Sequence, residues 1–238
     1  MRSINSGCKW VERIKTSFAL ALLLLTSCAS SQLDQAEQWQ SQLHAEHALV
    51  GMIWDSQADE FIEANELFAR TERVSYLLLG EKHDNPDHHA LQLRALDHVL
   101  KTNTVSTVSF EMMSSEQQPL LQELSAYRQS SLEQVNEYLQ WDNEGWDWDY
   151  YGPLLHSAMQ ADVLINAANI SNEEMMQVYG APTAAKIEGV LDEQTMAALE
   201  KDIDESHCGM LPESQFPAMV RVQQARDFAM AGSLAASS

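Results

Sequence analysis

The hydrophobic pattern of this chain is clearest between Val74 and Phe110. Val74–Leu79 (VSYLLL) is an apolar run that stops at Gly80 and opens at once into Glu81, Lys82, His83 and Asp84. A short continuous apolar run closed by glycine predicts a buried strand. Pro86 suits a first helical position, with Asp84 or Asn85 as cap. Leu91, Ala95, Leu96, Val99 and Leu100 then keep helical spacing to about Lys101. Thr104–Phe110 is a second β-branched run, ended by Glu111. Strand, helix and strand within roughly 37 residues match the size of a βαβ unit. Such strands run parallel through a right-handed crossover and are often neighbours in the sheet. Glu81 and Glu111 would then project at the same carboxyl edge, where doubly wound folds bind ligands.

Weaker patterns fill in the rest. ALVGMIWD, from Ala48 to Asp55, reads as a short strand and Asn65–Arg70 as a helical turn. Ser115–Leu139 is helical and polar-rich, Trp141–Tyr151 is the aromatic segment WDNEGWDWDYY, and Pro153–Met159 continues as helix. Val163–Ala167 suits a third strand, Asn169–Asp204 two or three short helices, and Ser214–Met230 a last helix. The fold class expected is α/β, a parallel sheet flanked by helices. The α/β part covers 47–114 and 161–238, and a helical, aromatic insertion covers 115–160.

Residues 1–27 read as a secretory signal rather than fold. Arg2, Lys9, Arg13 and Lys15 precede the apolar Phe18–Leu25, which is far short of the roughly 20 residues a bilayer needs. Leu25-Thr26-Ser27-Cys28 resembles the bacterial lipobox, in which the cysteine is acylated; an ordinary cleaved signal or an uncleaved anchor is the alternative. Residues 28–46, rich in Ser and Gln, read as a tether from the lipid to the body. Several acyl chains together anchor stably where one does not. By the same likeness, Ala29 after the cysteine favours outer-membrane sorting.

Charge narrows the partners. The chain carries a formal net charge of −21, and loss of residues 1–27, with four basic residues and one acidic, makes it −24. Nucleic acid and anionic lipid would both be repelled. With Cys8 removed and Cys28 acylated, Cys208 stands alone, so no internal disulfide forms, and no C-x-x-C-H motif attaches haem covalently.

Four groupings carry candidate chemistry. Glu81, His83 and Glu111 converge on the sheet edge, where two carboxylates share a proton or need a cation. Imidazole with carboxylate suits zinc or iron, although no H-E-x-x-H is present, so a divalent metal is only a possibility. His88 and His89 lie about 100° apart on their helix, so one faces the loop and the other away. Trp141, Trp146, Trp148, Tyr150 and Tyr151 form either core packing or the wall of a flat apolar ligand. His207, Cys208 and Met210 form either a soft cluster for haem iron or Cu(I), or a turn before the last helix.

Taken together, LLLGEKHDNPDHH at 77–89, SFEMM at 109–113, WDWDYYGPLL at 146–155, HCGMLPE at 207–213 and QARD-x-x-MA at 224–231 resemble the ChaN-like haem-binding lipoproteins. These belong to a superfamily with the Tiki/TraB and erythromycin-esterase proteins. The resemblance implies a parallel α/β domain with a smaller helical domain, lipid-anchored in the bacterial outer membrane, that binds haem between the subunits of a homodimer for iron uptake or storage. It implies Tyr151 as iron ligand, His207 as second ligand or hydrogen-bond partner, and Trp146 and Trp148 against the porphyrin, with Glu81, His83 and Glu111 as the surrounding scaffold. Lys82, Arg94, Arg221 and Arg226 are the basic candidates for the propionates. Family members continue past the QARD helix into a further strand, so the resemblance implies a chain short at its C-terminus. The competing class is a hydrolase in which Glu81, His83, Glu111 and His207 activate water directly or through a metal.

Overall fold

The computed structural model describes residues 39–102, 105–181 and 191–236. The signal segment, Cys28 and most of the tether lie outside the described residues. Two short strands open the fold, β1 (Ile53–Asp55) and β2 (Glu60–Ile62), paired antiparallel and followed by α1 (Ala64–Thr71). After an unpaired stretch come α2 (Pro86–Thr102), β3 (Thr107–Ser114), α3 (Gln118–Gln122), α4 (Leu132–Leu139), α5 (Trp148–Gln160) and β4 (Leu164–Asn169). Helices α6 (Asn172–Gly180), α7 (Glu193–Ser206) and α8 (Phe216–Ala235) complete it. Strands β3 and β4 pair in parallel, Val108 against Ile165 and Phe110 against Ala167, and α8 packs against both. The expected α/β class with a parallel sheet is therefore the observed one.

Local chemistry explains where the helices start. Asn85 Oδ1 accepts from the backbone N–H groups of Asp87 and His88 at 3.0 and 3.2 Å, so Asn85, not Asp84, caps α2. Ser131 with Gln134 and Ser171 with Glu174 form capping boxes on α4 and α6. Asp147 and Asp192 cap α5 and α7 through the N–H groups of Asp149 and Thr195. The core then joins these elements: Met113 of β3, Val135 and Leu139 of α4, and Tyr151 and Leu155 of α5 are the largest fully buried side chains. Leu96 and Val99 of α2 and Ile165 of β4 belong to the same cluster.

Three sequence expectations need correction. Among the described residues Val74–Leu79 is not a paired strand: it joins no sheet, and a cavity of about 950 Å³ lies between it and β3. A βαβ pattern makes its strands parallel but does not oblige them to be neighbours. The second strand begins at Thr107 and runs on to Ser114, so Glu111 lies within β3 rather than beyond its end. Its ladder to β4 continues as far as Ser114 opposite Asn169, which keeps the backbone extended past the apolar run. The early strand shrinks to Ile53–Asp55, because only those residues find a partner in β2.

Gln40 and Ser41, within the stretch that the sequence reads as a tether, are fastened to the body. Asp87 accepts from the backbone N–H groups of Gln40 and Ser41 at 2.8 and 2.9 Å. Burial alone would raise the Asp87 pKa, but these bonds outweigh it and hold it below the usual carboxylate range.

Candidate functional site

Glu81 follows the unpaired run, and its side chain is 3% exposed. One of its carboxyl oxygens, Oε1, accepts the Tyr151 hydroxyl at 2.8 Å and lies 2.8 Å from His83 Nδ1. The Tyr151 hydroxyl is also 3.4 Å from that nitrogen. The other oxygen, Oε2, is buried without a hydrogen-bond partner among the described residues. Tyr151 itself is 1% exposed. Burial first, then the Glu81 hydrogen bond and the charges of Glu81 and Glu111, push its pKa well above the ordinary phenol range. The resting hydroxyl therefore keeps its proton and donates it. A Glu oxygen as acceptor selects the His83 tautomer protonated on Nδ1, leaving Nε2 as an acceptor. The His83 ring is 59% exposed, and its edge meets Trp146 at 4.8 Å between centroids.

Helix α2 positions this loop. The backbone N–H of Lys82 donates to His88 Nδ1 at 3.0 Å, and His89 Nε2 lies 3.1 Å from the carbonyl of His83. Both histidines thus hold the loop, where helical geometry alone had turned one of them away. Each has room to do so because the loop folds back over the first turn of α2. His89 also stacks on Tyr150 at 4.5 Å, which fixes the ring pair beside Tyr151. Gln92 Nε2 donates to the Leu79 carbonyl at 2.9 Å. Gln92 went unread in the sequence, although positions 88, 89 and 92 share one helical face and that face carries the polar side chains turned to the loop.

The remaining candidates fall in different places. Glu111 lines the cavity beside Glu81 and Tyr151, and its backbone carbonyl accepts from Asn169 Nδ2 at 3.0 Å. Trp141 is buried, and its Nε1 donates to the Trp146 carbonyl at 2.9 Å. Trp148 packs edge-on against Trp141 at 5.0 Å. Of this aromatic group, Trp146 meets both His83 and Tyr151. His207 closes α7, with Nδ1 2.7 Å from the Ile203 carbonyl, and it does not line the cavity. Cys208 and Met210 beside it are exposed. Arg221 donates to the carbonyls of Val178 and Tyr179. Among the described residues no group of three or more His, Cys, Asp or Glu side chains is arranged to hold a metal ion.

Chemically, the site is a hydrogen-bonded Tyr151–Glu81–His83 cluster at one end of the cavity, with an aromatic flank and an outward imidazole. Comparison with known proteins gives it a setting. The solved structure described as cofacial heme binding to ChaN of Campylobacter jejuni shares this fold, with a TM-score of 0.68 and 24% identity over 77% of this chain and 74% of that one. No curated protein sequence matches the chain. A sequence model described as haem-binding uptake, Tiki superfamily, ChaN matches residues 67–238. The chain therefore belongs to the ChaN family of haem-binding uptake proteins in the Tiki superfamily.

Proposed function

We propose that this chain binds haem at the Tyr151–Glu81–His83 end of its cavity, in service of haem or iron uptake. The observation that carries the reading is a phenol whose proton has a buried acceptor 2.8 Å away, in a chain of a haem-binding uptake family. The residues fit the group. The cavity volume of about 950 Å³ is at the upper end of ligand pockets, roughly 300–1,000 Å³. His83 lines the cavity, and its imidazole stands at 87° to the Trp146 indole behind it, an aromatic corner beside Tyr151. When bound, haem would supply a ferric centre, which a tyrosine oxygen can ligate.

The chain's own residues do the rest. Tyr151 offers the ligand oxygen, and Glu81 Oε1 is the atom that takes its proton. His83, held on the same Glu81 oxygen, steadies the carboxyl group against rotation. Among the described residues no lysine or arginine lines the cavity, so its walls would supply no cationic partner for the propionates. His207 acts as second ligand or hydrogen-bond partner from the other copy of a homodimer, since in its own chain it is tied to Ile203 and lies off the cavity. The same proposal has the protein acylated at Cys28 and held at the bacterial outer membrane; radiolabelled palmitate incorporation that Cys28→Ala abolishes supports it, and unchanged labelling refutes it.

Titration of the full chain with hemin tests the site. A Soret band typical of tyrosine-ligated ferric haem is expected, lost in Tyr151→Phe and weakened about tenfold or more in Glu81→Gln, where the proton has no comparable acceptor. An unchanged spectrum in Tyr151→Phe refutes the ligand assignment. The Glu81–His83 contact with its outward imidazole also favours a second reading, a hydrolase using His83 as general base. Ester turnover abolished by both His83→Ala and Glu81→Gln, without a Soret response, selects it.

A further inference from the structure

The β1–β2 hairpin has two unlike faces. On one, Ile53 and Ile62 are half-buried, and Asp55 is paired with Arg70 of α1. On the other, Trp54 stands opposite Phe61 with ring centroids 4.8 Å apart, and the two are 50% and 48% exposed. Met52, just before β1, is exposed as well. So are Leu43, Leu49 and Val50, which line a surface depression with His44 and His47. Scattered apolar side chains need no cover, but a group of this kind marks a surface that meets something. The turns before β1 already close their own main-chain bonds. The N–H groups of His47, Val50 and Met52 donate to the carbonyls of His44, His47 and Leu49 at 2.9, 3.0 and 3.1 Å. This stretch lacks an apolar neighbour, not a hydrogen-bonding one.

Position, charge and residue type name that neighbour. Trp39 Cζ2 lies 3.2 Å from where a Gly51 Cβ would be, and Asp87 holds Gln40 and Ser41. The patch therefore adjoins the point at which the chain coming from Cys28 enters the body. Twelve residues lead from Cys28 to Gln40, and fully extended they reach at most about 43 Å. With Cys28 in a bilayer, the patch stays within that distance of the lipid. From His47 to Trp54 there is no Asp, Glu, Lys or Arg, and the whole chain carries a net charge of −21. An anionic surface is repelled and a neutral one is not. Tryptophan beside exposed aliphatic side chains is the composition that settles at a membrane–water boundary. Asp59 and Glu60, exposed next to Phe61, must keep their water and so limit how deep the face can sink.

We infer that this face lies on a zwitterionic bilayer, with Met52, Trp54 and Phe61 among the headgroups and Leu43, Leu49 and Val50 beside them. The assignment rests on the membrane attachment proposed through Cys28. It adds that the body is held against the lipid at a second point and does not swing freely on its tether. One weak anchor and one apolar face together hold better than either alone.

The full chain is reconstituted into phosphatidylcholine vesicles whose acyl chains are brominated near the headgroup. Emission from Trp54 is the difference between the parent and Trp54→Phe. That difference should fall by about half or more relative to unbrominated vesicles. Met52→Glu with Phe61→Glu should abolish the quenching, because each carboxylate is costly to bury, while palmitate labelling, the melting temperature and the hemin response stay unchanged. Leu43→Glu, at a side chain 81% exposed and outside the hairpin, should weaken quenching in the same direction without touching the hairpin's fold. Undiminished Trp54 emission overturns the assignment, as does quenching that the double variant retains. Trp54 emission that shifts with protein concentration in the absence of vesicles also overturns it, in favour of a second copy on this face. Palmitate labelling of the same samples keeps Cys28 separate. A labelled chain without quenching leaves the anchor and removes the face, and quenching that persists in Cys28→Ala supports the face without the anchor.

Discussion

At Tyr151 the ring and the hydroxyl answer to different parts of the molecule. The ring packs among Trp141, Trp146 and His89, while the hydroxyl reaches Glu81 from 70 residues away in sequence. Both Glu81 and Tyr151 stand out in the sequence as candidates, but a contact over that separation has no signature there. Gly152, the next residue, shows how tightly the segment is built: a Cβ there would lie 2.7 Å from Trp148 Cε2. Gly152→Ala should therefore force the indole aside and cost about 1–3 kcal/mol, read as a lower denaturant midpoint with an unchanged slope. A neutral midpoint would mean that Trp148 moves freely. The gain in helix propensity from alanine, about 1 kcal/mol, works against the clash but does not cancel its upper range.

Single elements carry their own conditions. The β1–β2 hairpin is fastened to α1 by the Asp55–Arg70 ion pair. The Arg70 hydrogen bond first, then the N–H groups of Ala58 and Gln57, hold the Asp55 pKa down at about 2, from 3.8. A lowered folded-state pKa contributes stability that is fully present above 3.8 and is lost as the pH falls toward about 2. Trp54 fluorescence should report loosening of the hairpin in that window, and Asp55→Asn should remove the step. Asp87 plays the same part for residues 40 and 41. Asp87→Ala strips acceptors from two backbone N–H groups and should cost about 1–3 kcal/mol. Faster proteolysis near Gln40 at neutral pH is the expected reading, and unaltered cleavage would show that other contacts hold the segment.

Across the whole molecule, one buried cluster links α2, β3, α4, α5 and β4, so stability and site geometry share a core. Leu155 is fully buried in it, and Leu155→Ala should cost about 2–5 kcal/mol. Because α5 carries both Leu155 and Tyr151, the same variant should weaken hemin binding measured well below its melting temperature. Full affinity in the destabilised variant would separate site from core.

By itself the sequence pointed to the α/β class, a helix from Pro86 onward capped by Asp84 or Asn85, strands over Thr104–Phe110 and Val163–Ala167, and Glu81, His83 and Tyr151 as candidate residues; that the last two strands pair with each other came from the structure. The sequence readings rest on periodicity, capping chemistry and motif, all of which act over a few residues. Only the tertiary structure decided that Val74–Leu79 stands apart from β3, that Glu111 lies inside its strand, that His88, His89 and Gln92 all hold the loop, and that His207 lies away from Tyr151 in one chain. An apolar run specifies that it must be covered but not by what, because burial is non-directional whereas a ladder needs a particular partner edge.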